Sequence, residues 1–172
     1  RHNIGFMVLD AYAQKQGLHF KFDPKFDAEI AIMLSSQEKI ILAKPATYMN
    51  LSGQAIEKIM RYYQVDLQDV LIVVDDIHLD LGRMRLRALG GHGGHNGLRN
   101  IILKLQSDQF KRIRIGISNE KEMPLDHYVL GKFKKEELVV LAHTIELTTK
   151  AIEAFVAQQS YLDIMSKYNT QT

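Results

Sequence analysis

The sequence of 172 residues contains no cysteine and only three prolines. The absence of cysteine excludes disulfides and thiolate metal sites and favours a reducing compartment, so we expect a cytoplasmic protein. No apolar run approaches the ~20 residues of a membrane span, and no signal-peptide pattern opens the chain. With 46% hydrophobic and 24% charged residues, the composition is globular. The length predicts one domain over residues 1–172.

Positive charge is concentrated in residues 83–114. This segment has eight arginines and lysines against one aspartate, a net charge of +7, whereas the whole chain carries +2. The rest of the chain is therefore acidic, with a net charge of −5. This asymmetry predicts a polyanionic partner that meets one face of the protein.

Hydrophobic periodicity predicts helices that alternate with strands. Apolar residues recur at helical spacing after Asn3, after Ser52, from Leu98 to Leu105 and from Lys134 to Phe155. The runs AEIAIML and KIILAK predict a hairpin, and VLIVV at 70–74 predicts a central strand buried on both faces. RMRLR and RIRIGI alternate with period two, which places the arginines on one face of two further strands. The interleaving predicts an α/β fold with a mixed sheet.

Polar side chains mark three candidate positions. Asp75 and Asp76 follow the apolar run VLIVV, and the carboxyl ends of central strands are where open α/β sheets place their sites. The alternative for this pair is a strand end or a turn. Asn50 and Asn96 each lie just before a predicted helix. The alternative role for Asn96 is the N-cap of its helix. Beside Asn50, Ser52 is the better cap, which leaves Asn50 available for another role. Two carboxamides at helix entrances can orient a carbonyl or a water molecule.

The segment GGHGGHNG, residues 90–97, predicts a close approach of the backbone to a ligand or substrate, because each glycine costs folding entropy. The segment lacks the Lys-Ser/Thr pair of a P-loop and the G-x-G-x-x-G spacing of a dinucleotide fingerprint. His92 and His95 have no accompanying carboxylate there, which disfavours a metal site. The alternative for His92 is a turn histidine that bonds the local backbone.

Six blocks in order, RHNIGF, KPATYMNLSG, VVDDIHLDLG, GGHNGLRNI, FKRIRIGI and YVLGKF, resemble the bacterial peptidyl-tRNA hydrolase family across nearly the whole chain. The resemblance implies a single α/β domain with a twisted mixed β-sheet flanked by helices. It also implies a monomeric esterase, without metal or cofactor, that hydrolyses the ester between a peptide and the terminal ribose of tRNA. This reaction recycles tRNA from aborted translation.

The resemblance further implies roles for four residues, two of them catalytic and two of them substrate-binding. His2 is the catalytic base, and Asp75 is the acid that orients it. Asn50 and Asn96 hold the end of the substrate and help to position water or the carbonyl. Neither a G-x-S-x-G elbow nor a cysteine is present, so direct attack by water is the simpler mechanism.

Five more residues are expected to contribute to binding, four of them by the same resemblance. Met49 and His95 line the cleft by that resemblance, whereas Gly93 is added because the glycine loop, residues 90–94, is predicted to approach the terminal nucleotide or the peptide end. Arg87 and Arg114 correspond to the basic pair that grips the 5′-phosphate of tRNA.

The sequence departs from the family pattern in two places. The family has a strand and a GNPG turn before RHN, and this first strand has no counterpart here, so we expect the sequence to be incomplete at its amino end. DDIHLDLG replaces the usual DDLDLPxG, which leaves the conformation of residues 76–82 open.

Two other functions compete with hydrolysis of peptidyl-tRNA. A non-catalytic RNA-binding protein on the same scaffold would use only its basic face, and phosphate binding needs neither His2 nor Asp75. A small-molecule esterase would leave the net charge of +7 in residues 83–114 unexplained.

Overall fold

The computed structural model describes residues 4–35, 38–118 and 133–170. Within these residues helices alternate with strands, so the predicted α/β class is confirmed. The elements are α1 (Ile4–Lys15), β1 (Lys21–Asp23), β2 (Ala28–Leu34), β3 (Lys39–Pro45), α2 (Ser52–Tyr63), β4 (Leu71–Asp80), β5 (Met84–Arg87), α3 (Asn96–Leu105), β6 (Lys111–Ser118), α4 (Lys135–Val156) and α5 (Tyr161–Asn169). Short 3-10 turns cover Met49–Leu51 and Leu67–Asp69. None of the described helices is long and apolar enough to cross a bilayer.

The described strands form two three-stranded sheets, in the orders β1-β2-β3 and β4-β6-β5. The predicted hairpin is confirmed, because β2 and β3 pair antiparallel from Ala28 opposite Pro45 to Leu34 opposite Lys39. The strand predicted to be central, β4, is not the middle strand of the described sheet, since β6 lies between β4 and β5. Val70 and Val74 are buried, whereas Leu71, Ile72 and Val73 are only partly buried, so the predicted burial on both faces is not complete among the described residues. The number of neighbouring strands depends on the topology, which an apolar run does not determine.

The chain divides into two compact units. Unit 1 comprises Arg1–Ala11, Ile72–Arg87 and Arg112–Thr172, and unit 2 comprises Tyr12–Leu71 and Ala88–Lys111. The single domain over residues 1–172 stays a prediction.

The core of unit 1 lies on the apolar face of β5 and β6. These strands pair antiparallel, and Met84, Leu86, Ile113 and Ile115 are completely buried. The edge of β5 is closed by α5, because Asn169 accepts from the Leu86 amide at 2.7 Å and donates to the Leu86 carbonyl at 3.1 Å. This side chain therefore satisfies the backbone of an edge strand that would otherwise invite pairing.

The core of unit 2 is formed by α2 and the β2–β3 hairpin. Its buried residues are Phe26, Ala28, Ile30, Ala55 and Ile59. Ala28 and Ile30 come from one face of β2, and Ala55 and Ile59 come from one face of α2, as the periodicities of two and 3.6 require. Phe26 is added from the turn between β1 and β2. This packing fixes the axis of α2, whose amino end carries part of the candidate site.

Candidate functional site

Asp75 and Asp76 lie inside β4, which continues to Asp80. The prediction that they end the strand is wrong. The next residues alternate, with Ile77 and Leu79 partly buried and His78 and Asp80 exposed, and this pattern is typical of a strand with one covered face. The segment from Asp76 to Gly82 is therefore mostly extended, and its turn comes only after Asp80.

The two neighbouring carboxylates have different surroundings. The Asp75 side chain is buried, with 2% of its residue surface exposed. Asp76 accepts from the His78 amide through Oδ1 at 2.8 Å, and its Oδ2 lies 3.6 Å from Arg114 Nη1. Successive strand residues point to opposite faces, so the strand separates the two acids.

The beginning of α1 packs closely on β4 within unit 1. A Cβ atom added to Gly5 would lie 2.6 Å from the Val73 carbonyl oxygen, so a side chain at position 5 would push the helix away. Gly5 follows His2 by three positions, and Val73 precedes Asp75 by two. His2 itself lies outside the described residues, and so does Asn3, the predicted cap of α1. The assignment of His2 as the base therefore stays a prediction.

The turn that contains Met49 and Asn50 packs against the first turn of α3 in unit 2. A Cβ atom on Gly97 would lie 2.7 Å from Met49 Sδ, which shows how tightly the thioether contacts this helix. Asn50 and Asn96 are exposed, and neither side chain hydrogen-bonds to another described residue. Two unpaired carboxamides are thus carried by two segments in direct contact.

The predicted cap Ser52 is wrong, and so is the alternative role of Asn96 as an N-cap. His95 is the N-cap of α3, because its Nδ1 accepts from the Leu98 amide at 3.1 Å. This leaves Asn96 without a capping role. Ser52 is the first residue of α2, and its hydroxyl donates to the Met49 carbonyl at 2.8 Å instead of accepting from an amide.

The amino end of α2 is capped from another helix, by Asn100 of α3. Asn100 Oδ1 accepts from the Gly53 amide at 2.8 Å, across 47 positions of sequence. Sequence analysis did not single out Asn100, since no local motif indicates a cap supplied by a distant residue. The sequence indicated Ser52 as a local cap, and the lack of a capping side chain at Leu51 became visible only with the observed start of α2.

The glycine loop takes backbone conformations that favour glycine. Gly93 has φ of 57° and Gly94 has φ of 83°. The Gly94 amide donates to His92 Nδ1 at 2.9 Å, so His92 has the local turn role considered as its alternative. A Cβ atom on Gly94 would have no described atom within 4 Å, so backbone conformation, and not packing, requires glycine there. The approach of a ligand to this loop stays a prediction.

The arginines of β5 and β6 share one face of unit 1. Arg85 lies opposite Arg114 and Arg87 lies opposite Arg112, and opposed residues point to the same side of a sheet. Arg87 is exposed, whereas Arg112 is completely buried. Arg114 has 17% of its side chain exposed beside Asp76. The four cations therefore differ greatly in their access to a polyanion.

Of the four other basic residues of the +7 segment, Arg83 belongs to unit 1, whereas Arg99, Lys104 and Lys111 belong to unit 2. The prediction of one basic face is therefore not tested by the geometry of either unit. Within residues 4–35, 38–118 and 133–170, no three histidine, aspartate or glutamate side chains are grouped so that they could hold a metal ion.

The whole chain, residues 1–172, matches the family model described as peptidyl-tRNA hydrolase. A peptidyl-tRNA hydrolase from Oceanobacillus iheyensis is 42% identical over 98% of this chain and 90% of its own length. One from Lactiplantibacillus plantarum is 41% identical over 98% of this chain and 91% of its own length. The crystal structure of peptidyl-tRNA hydrolase from Acinetobacter baumannii aligns with a TM-score of 0.90 at 34% identity, covering 98% of this chain and 86% of that one.

The matched sequences and the matched α/β fold define a hydrolase. The chain belongs to the peptidyl-tRNA hydrolase family, as its six sequence blocks predict.

Proposed function

We propose that this protein hydrolyses the ester between the peptide and the terminal ribose of peptidyl-tRNA. In this proposal His2 is the general base that activates water, and Asp75 orients the imidazole. Asn50 and Asn96 bind the substrate end and position water or the carbonyl. Met49, His95 and Gly93 line the place where that end binds.

The chemistry of ester hydrolysis fits these residue types. Water needs a group with a pKa near 6.5 to accept its proton, and the tetrahedral oxyanion needs hydrogen-bond donors. A carboxylate beside the imidazole holds the required tautomer and stabilises the imidazolium that forms, as in hydrolytic triads. The burial of Asp75 supports this role, because a buried carboxylate is stable only with a partner.

The exposure of the two carboxamides is the observation that carries the proposal. Asn50 and Asn96 belong to segments that contact each other through Met49 and Gly97, yet neither side chain is used by the described part of the fold. Their donors and acceptors are available to a ligand. A carboxamide both donates and accepts, so a pair of them can bind a carbonyl oxygen and a water molecule together.

Arg87 and Arg114 are proposed to bind the 5′-phosphate of the tRNA. They share the basic face of β5 and β6, and the planar guanidinium suits bidentate contacts with phosphate. The same proposal includes a monomer, as the resemblance implies, and a cytoplasmic protein that works without a metal or cofactor.

The test is an assay of peptide release from an N-blocked aminoacyl-tRNA, run beside a simple carboxylic ester of the same acyl group. We expect rapid hydrolysis of the tRNA ester and little of the simple ester. Binding of the tRNA ester without its cleavage would support the RNA-binding alternative. Equal rates on the two esters would support a small-molecule esterase.

A further inference from the structure

We infer that Asn100 is a positioning residue, which holds the turn of Asn50 in place against the helix that carries Asn96. The inference rests on the proposed function, because it assumes that Asn50 and Asn96 bind the substrate. Asn100 itself is not assigned a contact with the substrate.

The amino end of α2 lacks a local cap. Its N-cap position is Leu51, whose aliphatic side chain accepts no hydrogen bond. The first amides of a helix have no partner inside the helix, so each needs an acceptor from elsewhere. Asn100 Oδ1 supplies one to the Gly53 amide at 2.8 Å, in a partly buried location.

The contact between α2 and α3 at this point leaves no free space. A Cβ atom on Gly53 would lie 2.6 Å from the Asn100 carbonyl oxygen and 2.8 Å from its Oδ1. The two backbones therefore meet directly, and Asn100 Oδ1 lies against the amide that it caps. Removing this oxygen would leave the Gly53 amide without its acceptor.

Asn100 is connected to both proposed substrate-binding residues. Gly53 follows Ser52, whose hydroxyl donates to the Met49 carbonyl, so the capped end of α2 continues directly into the turn of Asn50. Asn96 lies four positions before Asn100 on α3, which is one helical turn away on the same side. This side-chain hydrogen bond thus links the segment of Asn50 to the helix of Asn96, beside the contact of Met49 with Gly97.

The experiment compares kcat/KM on N-blocked aminoacyl-tRNA for wild type, Asn50→Ala, Asn100→Ala and the double variant, with thermal unfolding of each protein. Asn100→Asp keeps the acceptor oxygen and adds a charge that is favourable at a helix amino end. Ile101→Val removes one buried methyl group from the same helix and controls for a general loss of stability.

We expect Asn100→Ala to lower kcat/KM by about 10- to 100-fold, since a misplacement of about 1 Å can cost that much. Asn100→Asp should keep most of the activity, and so should Ile101→Val. In the Asn50→Ala background, Asn100→Ala should lower kcat/KM by less than about a further threefold. The same substitution should lower Tm as much in that background as it does in wild type.

Several results would overturn the inference. If the factors by which Asn50→Ala and Asn100→Ala each lower kcat/KM multiply in the double variant, Asn100 does not act through the turn of Asn50. If Ile101→Val is as inactive as Asn100→Ala, the effect is general instability. Normal activity of Asn50→Ala would remove the proposed role of Asn50, and the inference with it. If Asn100→Ala does not fold, Asn100→Ser, whose shorter hydroxyl does not reach Gly53, replaces it in the cycle with the same expectations.

Discussion

Asp76 Oδ2 lies 3.6 Å from Arg114 Nη1, and both side chains are mostly buried, with 10% and 17% exposed. Asp76 is itself held by the His78 amide, at 2.8 Å from its Oδ1. Arg114 lies opposite Arg85 in the antiparallel pair, where like charges repel. Asp76 therefore offsets positive charge on this face and limits the directions in which the Arg114 guanidinium can point.

Replacing Asp76 by Asn should destabilise the fold. The substitution keeps the shape and removes the charge, so a mostly buried guanidinium loses an opposite charge. We expect the free energy of unfolding to fall by about 1–3 kcal/mol, measured by urea denaturation. Asp80→Asn on the same strand is the matched control, because Asp80 is exposed, and its effect should stay within about 0.5 kcal/mol. Equal effects of the two variants would show that the Asp76–Arg114 pair contributes nothing.

Replacing Arg87 or Arg114 by Ala should weaken tRNA binding without affecting the chemical step. We expect a higher KM with kcat largely intact, because a phosphate contact far from the ester acts equally on ground state and transition state. The slope of log affinity against log salt should fall by roughly 0.7 to 0.9 for each phosphate that the variant no longer binds. Titrations of labelled tRNA at several salt concentrations measure this slope.

Removal of the 5′-phosphate from the tRNA identifies which phosphate the arginines bind. Dephosphorylated tRNA should bind wild type about as weakly as intact tRNA binds the variants. For Arg114→Ala, whose binding is already weak, removal of the phosphate should lower the affinity little further. If dephosphorylation weakens wild type and variant by the same factor, the 5′-phosphate is held elsewhere.

Replacing Gly93 by Val should reduce turnover. Gly93 has φ of 57°, which a β-branched residue adopts only at considerable cost. Gly93→Asn is the control, since asparagine tolerates the left-handed region better than other residues. We expect lower kcat/KM for Gly93→Val than for Gly93→Asn in proteins that remain folded by circular dichroism. Wild-type kcat/KM in both folded variants would show that the glycine serves only the turn.

Hydrophobic periodicity predicted most helices and strands correctly. When one face of an element is buried, apolar residues recur every two positions in a strand and every 3.6 positions in a helix. The hairpin of β2 and β3 and the arginine-bearing strands β5 and β6 are examples. β1 has only three residues, too few to show a period. The predicted long helix ended at Phe155, close to the observed end of α4 at Val156, but α5 was not predicted, since no periodic residues were identified after Phe155.

The candidate site was predicted only where residue types carry the chemistry. Asp75, Asn50 and Asn96 were singled out from their positions beside apolar or helical segments and from the family resemblance, and their roles stay predictions. The cap by Asn100 and the pairing of Asp76 with Arg114 depend on contacts between residues 47 and 38 positions apart. Such contacts exist only once the chain has folded, so no local pattern predicts them.

The proposed hydrolysis with His2 as base is tested most sharply by single-turnover cleavage of an N-blocked aminoacyl-tRNA by wild type and His2→Ala. General-base catalysis typically contributes roughly 10² to 10⁴-fold, so the variant should lose about that factor in rate and still bind deacylated tRNA normally. His19→Ala, at an exposed histidine of unit 2, should cleave at the wild-type rate. A rate within about threefold of wild type for His2→Ala would contradict the proposal, because His2 would then not be the base.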